Sequence, residues 1–499
     1  MGAAGASGAA GTATAAAAEG AAGTAGTTSA EGVAGAGEGA GKWSQPATLS
    51  SCPGTGIPYV VFPSDSPTHG TGPGAIVWSA SLPCPDGAGV RVAAIDPEDI
   101  PGQPAEPRTA AARPIALRGP LAATAGPYGR VVIAASSAGE PSTRAGGLLL
   151  TEGPAGGPFA PPLAIDPPAS TFAFTTAYLG DVALLSSDAS QPGGTAQQGT
   201  GAQRHAPAQP GGDTGHNGGV QLRVQRHHAS RFAAPAQVST GAGASIGALT
   251  VALDYRSDAL AVWTQEGSIY ARELPASGAP HPVQRLGAVG LGPASGAQIA
   301  AVLSDDDRAI VAWTDRHASQ TSVYVARSQP GVRFDGPQLL ERFSDPPDLP
   351  AYEDSPRIVR LSFESVMMAW TGAEAGHWVI RTAAIDLDGV HTPNTISPPG
   401  RDALLAALAA GPDGEALALW TEPQQTPAGL DLGRQAIFAA RGFDAYPAQT
   451  IFAAGEQVAP PGPNSDATVA LDPNSDRAIA VWRTGTGLLA YAIRTSGAP

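Results

Sequence analysis

The stretch DALAVWT, residues 258–264, decides how this chain is read. Asp258 is a turn former, Ala259 to Val262 are small and apolar, and Trp263 closes the run. The phrase recurs as RAIVAWT ending at Thr314, SVMMAWT at Thr371, EALALWT at Thr421 and RAIAVWR at Arg483. Its tryptophans therefore stand at 263, 313, 370, 420 and 482, with spacings of 50, 57, 50 and 62. Self-similarity at a period near fifty marks a repeat architecture, and units built from strands point to a β-propeller.

Around Trp263 the unit reads as four strands. IGALTVALD ends at Asp254, YRSD turns the chain, DALAVWT follows, and QEGS turns it again. SIYAREL is the third strand, and HPVQRLG, after PASGAP, is a short fourth. Runs of five to seven residues rich in Val, Ile, Tyr and Trp, separated by Gly, Pro, Asp and Ser, are strand signals. The pattern continues to the C-terminal side and is legible, though weaker, upstream. Second strands marked by Trp78, Val132, Leu184, Trp263, Trp313, Trp370, Trp420 and Trp482 give eight blades, with seven the alternative if one early copy is an insertion. Each Trp is expected to pack between neighbouring blades.

The last copy stops at LLAYAIR, ending at Arg494, one strand short. The missing strand is expected from the other end of the chain, where WSQPATLS at 43–50 resembles the fourth strands FAAPAQVS and FDGPQLLE. A ring closed in this way leaves no open sheet edge.

Composition narrows the class. Glycine (64) and proline (48) are abundant in the 499 residues and only 14% are charged, which suits many tight turns rather than helices. A net charge of −15 with no basic run argues against nucleic acid as a partner. No stretch approaches the roughly 18–20 apolar residues of a membrane helix. Residues 1–42 are Ala, Gly and Thr with a few Glu, a composition that cannot bury enough surface to offset chain entropy, and read as a disordered leader or tether. No signal peptide is visible there.

The repeats resemble those of uncharacterised bacterial exported propeller proteins, in which an Ala-hydrophobic-Ala-Val-Trp run precedes Ile-Tyr-Ala-x-Arg; DALAVWTQEGSIYARE and RAIAVWRTGTGLLAYAIR carry the likeness. It extends well over residues 246–499 and poorly over 43–245. It implies a bacterial exported propeller and brings no catalytic residues.

In a propeller blade, the loop into strand one and the loop between strands two and three share a face. Cys52 falls in the first kind and Cys84 in the second, within one blade, so a disulfide between them is expected, and with it an extracytoplasmic location. The same face receives a Gln-, Gly- and His-rich insertion at 188–218 with His205 and His216, and an acidic loop, residues 344–354, with Asp345, Asp348, Tyr352, Glu353 and Asp354. EPQQTPAGLDLGR, 422–434, joins them as a third long loop. These residues are the candidate binding set, because loops on a rigid scaffold are where binding is built. Neither the spacing of His205, His216, His227 and His228 nor the acidic loop fits a ligand set, so no metal is expected. On the opposite face, LDYRSD, SDDDR, GPDGE and LDPNSD read as turns in which Asp bonds its own backbone.

No nucleophile elbow, phosphate-binding loop or His-Glu-x-x-His motif is present, and no cofactor is expected. The expected function is that of a monomeric binding scaffold for a protein or polysaccharide. The alternatives are a glycoside hydrolase or lyase with carboxylates at the central channel, and a structural spacer.

Overall fold

The structure is a computed structural model. It describes residues 42–49, 53–62, 74–80, 89–95, 108–109, 117–125, 130–137, 148–155, 157–165, 169–176, 181–188, 219–225, 232–239, 246–289 and 298–494, the last apart from 305, 318, 330–332, 347–355, 363, 412–413, 428, 446–448 and 473–476. The chain divides into Met1–Ala40, which lies outside the described residues, and Gly41–Pro499. The second unit is all-β: eight sheets stand in a ring as an eight-bladed propeller, and no α-helix occurs among the described residues.

Each blade is an antiparallel sheet, and in blades one to six the strands lie side by side in chain order. The innermost strands of blades one to eight are Gly54–Val61, Leu117–Ala125, Ala169–Thr176, Ile246–Leu253, Gln298–Leu303, Arg357–Arg360, Leu404–Ala410 and Ser465–Leu471. Each adjoins the innermost strand of the next blade, and the eighth adjoins the first. The outermost strand of blade eight is Ala47–Thr48, with Ala47 opposite Tyr491 and Thr48 opposite Ala490. The backbone of Leu49 continues the ladder to Leu489 at 2.8 Å, and Trp43 bridges Arg494. The first and last segments of the unit thus complete one sheet, as the repeat count requires.

The period of two along each strand turns alternate side chains toward alternate neighbours. In the second strand of blade four, Leu260 and Val262 pack with Trp313 of blade five, while Ala259, Ala261 and Trp263 pack with Leu185, Leu222 and Val238 of blade three. Each of the six second-strand tryptophans is 2% exposed or less and faces the blade before it. Because both faces are covered, the strands read as continuous apolar runs, and Ala and Gly fill the sites where an indole from the next blade arrives. A Cβ on Gly287 of blade four would stand 3.0 Å from Trp313 Cζ2 of blade five.

Val132 and Leu184 mark the correct strands without holding the tryptophan position. Val132 turns toward blade three, and the residues of its strand that face blade one are Val131, Ile133 and Ala135. In the strand Val182–Asp188, the fifth residue, where Trp263 stands in Ala259–Gln265, is Ser186; it is buried and accepts a hydrogen bond from Arg223 at 3.4 Å. Blades two and three therefore lack the indole, which is why their copies are faint in the sequence.

Blade seven departs most from the sequence expectation. Its second and third strands, Glu415–Thr426 and Gly429–Ala445, run as one long hairpin with Gln424 opposite Asp431 and Thr426 opposite Gly429. Most of the segment read as a loop is thus paired backbone. The fourth-strand position is shared: Gln449–Phe452 pairs with the far end of the third strand, and Glu456–Gly462 with its middle.

Candidate functional site

Three regions could carry chemistry: the face bearing the loops between strands two and three, the opposite face, and the central channel. Of the expected binding residues, Asp348, Tyr352, Glu353, Asp354, His205 and His216 lie outside the described residues, as do Cys52 and Cys84. Asp345 is described, and its groups are engaged within blade five. Its carboxylate pairs with Arg316 and accepts from Thr321 Oγ1 at 3.5 Å, while its N–H donates to Ser319 O at 2.7 Å. With the carboxylate side chain only 9% exposed, this acid anchors the end of the fourth strand.

On the same face, the blade-seven hairpin is braced from its base. Asp402 of blade six accepts from the backbone N–H of Trp378 at 2.9 Å and from Gln425 Nε2 at 3.1 Å, and lies 3.3 Å from His377 Nδ1. Glu422 accepts from Trp420 Nε1 at 3.2 Å and from Arg401 at 3.4 Å. The tip turns at Thr426–Gly429, where Thr426 Oγ1 donates to Gly429 O at 2.7 Å and Gly429 has φ of +113°. Beyond these anchors Leu432, Gly433 and Arg434 are exposed. A polar buttress under an exposed two-stranded arm makes a rigid projection rather than a loose loop.

On the opposite face the turn after Asp254 behaves as the sequence implies, while Asp305, Asp413 and residues 473–476 of the other three turns lie outside the described residues. Asp254 Oδ1 accepts from the N–H of Asp258 at 2.7 Å, and Ser304 Oγ donates to Arg308 O at 3.0 Å in the equivalent turn of blade five. What the sequence did not reveal is that these turns meet. Oxygens of Asp254, Asp258 and Asp307 lie within 4.8 Å of one another, and Arg256 pairs with all three acids. Burial raises the pKa of Asp254 and its hydrogen bonds from Asp258 and Arg256 oppose the rise, while the neighbouring Asp258 charge adds to it. Arg256, held by Asp307 and Asp254, titrates above its ordinary value despite some desolvation. The guanidinium is the counter-charge of this cluster. Ser257, in the same turn, donates to Asp181 of blade three, so the turn joins three blades.

The channel strands carry few ionisable groups. Their sequences contain one carboxylate, Asp466, which pairs with Arg483 at 3.0 Å. Arg357 and Arg360 stand on the short strand of blade six. Tyr59, on the innermost strand of blade one, is pushed above its ordinary pKa by burial, with the positive charge of Arg357 opposing.

A groove of about 420 Å³ lies between blades four and five, on the face of the Asp turns, lined by Arg272, Glu273, His281 and Arg333 among others. No sequence motif marks it, because its walls come from residues about fifty positions apart.

No family model and no curated protein matches the chain. Among solved structures it is similar to an ulvan lyase of a new polysaccharide lyase family, bound to -[GlcA(1-4)Rha3S]-, at 10% identity over 91% of this chain and 97% of that one, TM-score 0.44. It is also similar to an α-L-arabinanase from Penicillium chrysogenum complexed with arabinobiose (12%; 48% and 75%; 0.31) and to the NanB sialidase from Streptococcus pneumoniae (11%; 73% and 66%; 0.32). None of these likenesses assigns an activity to this chain.

Proposed function

We propose that this chain is an exported, non-catalytic propeller that binds a protein or polysaccharide ligand through the face bearing the blade-seven hairpin. The carrying observation is the hairpin itself: twelve- and seventeen-residue strands where the second and third strands of the other blades have nine or fewer, pinned at Asp402 and Glu422 and presenting exposed residues beyond. Extending paired strands past the sheet edge adds nothing to the ring's core, whereas a braced arm is pre-organised for contact and loses little entropy on binding. The channel supports the same reading. Glycoside hydrolysis in its common form needs two carboxyl groups about 5–10 Å apart, and the innermost strands supply only Asp466, already paired with Arg483. No helix among the described residues is long and apolar enough to cross a membrane.

Export rests on a disulfide between Cys52 and Cys84, which non-reducing peptide mapping tests: a linked peptide is expected, and two alkylatable thiols would remove that support. The binding role is tested on glycan and protein arrays with the full chain and with a variant in which residues 424–432 are replaced by a two-residue turn. The variant should fold and lose the ligand found for the parent. Equal binding by both would exclude the hairpin.

A further inference from the structure

On the face of the Asp turns, one aromatic ring is held in a way that the scaffold does not need. Tyr255 follows Asp254 into the turn of blade four and is 43% exposed. The guanidinium of Arg256 lies over the ring, 5.4 Å from its centroid, and is itself fixed by Asp254, Asp258 and Asp307. A ring laid on a bound cation is held in place, with one face covered and the other toward solvent. Tyr255 takes no part in the cores on either side of blade four.

The turn of blade five sets hydrogen-bonding groups beside this ring. Asp307 meets the guanidinium of Arg256 through Oδ1, and its Oδ2 has no hydrogen-bond partner among the described residues; the side chain is 37% exposed. Arg308, next in the chain, pairs with Asp306 through Nη2 at 2.9 Å, which leaves its Nε and Nη1 without a partner among the described residues. A carboxylate only accepts and a guanidinium only donates, so the two together offer what a pair of neighbouring hydroxyls requires. The acids are not a cation site, because Arg256 is already their counter-charge. Nor does the patch suit an anion, since Asp254, Asp258, Asp306 and Asp307 outnumber Arg256 and Arg308.

We propose that this patch binds an uncharged saccharide. The C–H face of one pyranose lies on the open face of Tyr255, and adjacent hydroxyls donate to Asp307 Oδ2 and accept from Arg308. An aromatic ring offers apolar area and a negative π face to such C–H groups. The two charged groups make the stronger class of hydrogen bond and fix the orientation of the sugar. The ring is in place before a ligand arrives, so little ordering is lost on binding. The patch is on the face opposite the blade-seven hairpin, so this proposal and the scaffold reading stand or fall separately.

Calorimetric titration of the full chain with cellohexaose, mannohexaose and the acidic hexagalacturonate tests it. One-to-one binding of at least one neutral hexasaccharide is expected, weakened about ten-fold in Tyr255→Ala and unchanged in Tyr255→Phe, which keeps the ring. Hexagalacturonate should bind more weakly than that neutral sugar, because its carboxylates meet Asp307. Because Tyr255 lies outside both cores, the variants should keep the parent's unfolding midpoint. Replacing residues 424–432 by a two-residue turn should leave the saccharide affinity as it is. No binding of either neutral sugar at about 10 mM, equal affinity in Tyr255→Ala, loss of binding in the hairpin variant, or hexagalacturonate binding as tightly would overturn the proposal.

Discussion

Trp370 of blade six donates its indole N–H to Glu341 of blade five at 2.6 Å, so a carboxylate on an outer strand fastens the buried ring of the next blade. The same carboxylate accepts from Arg381 Nε at 3.3 Å and leans on Gly372, where a Cβ would stand 2.8 Å from Glu341 Oε2. Removing it strands a buried donor and takes from Arg381 one of its two carboxylates, leaving Glu374 at 3.5 Å. Glu341→Ala should therefore destabilise the protein by about 2–3 kcal/mol, and Glu341→Gln, which keeps an acceptor, by about 1 kcal/mol. Urea unfolding of the two variants checks the order.

The tryptophans that reveal the repeat are also its main packing elements. Trp313→Ala empties an indole-sized space between blades four and five, where Leu260, Val262, Ile269 and Leu286 converge. The expected loss is about 3–5 kcal/mol. Gly455→Ala tests the same principle in reverse: with Trp420 at 2.6 Å from the new Cβ, overpacking should cost about 1–3 kcal/mol. Both are read from the urea midpoint.

The Arg256 cluster gives a pH-dependent prediction. Burial raises the pKa of Asp254, and Arg256 is among the groups that oppose this. A carboxyl whose folded pKa lies above its unfolded value of 3.8 favours the folded state when protonated, and stability falls as pH rises through the interval between the two values. Arg256→Gln removes the counter-charge and widens that interval. Its unfolding midpoint should drop relative to the parent as pH goes from about 4 to 7, with the difference smallest at the acid end. A difference independent of pH would show that Arg256 does not act on Asp254.

The ring was legible because its packing rule is local: a Trp in the second strand must meet small residues in the neighbouring blade, and both leave a mark every fifty residues. The closing strand was legible because Ala47 and Thr48 sit in a segment that resembles the fourth strands of other blades. Where the indole is replaced, at Ala135 and Ser186, the sequence pointed to nearby apolar residues, since Val132 and Leu184 are as hydrophobic and nothing in one strand says which neighbour a side chain faces. The outer part of the blade-seven hairpin, 422–434, was hidden by Pro423, Pro427, Gly429 and Gly433, which read as loop but occupy a long two-stranded arm. The Arg256 cluster and the groove at Arg333 join residues from different blades, and only the ring brings those together.

Every assignment of a residue to a face follows from the closure of blade eight by the strand at Ala47–Thr48. Hydrogen–deuterium exchange compares that strand's partner, Leu489–Arg494, in a chain starting at Gly41 and in one starting at Pro53. With the closing strand present, the amides of this segment that face it should be protected; without it, they should exchange rapidly while those of Ala259–Gln265 in blade four remain slow. Equal protection of Leu489–Arg494 in both chains would contradict the closed ring.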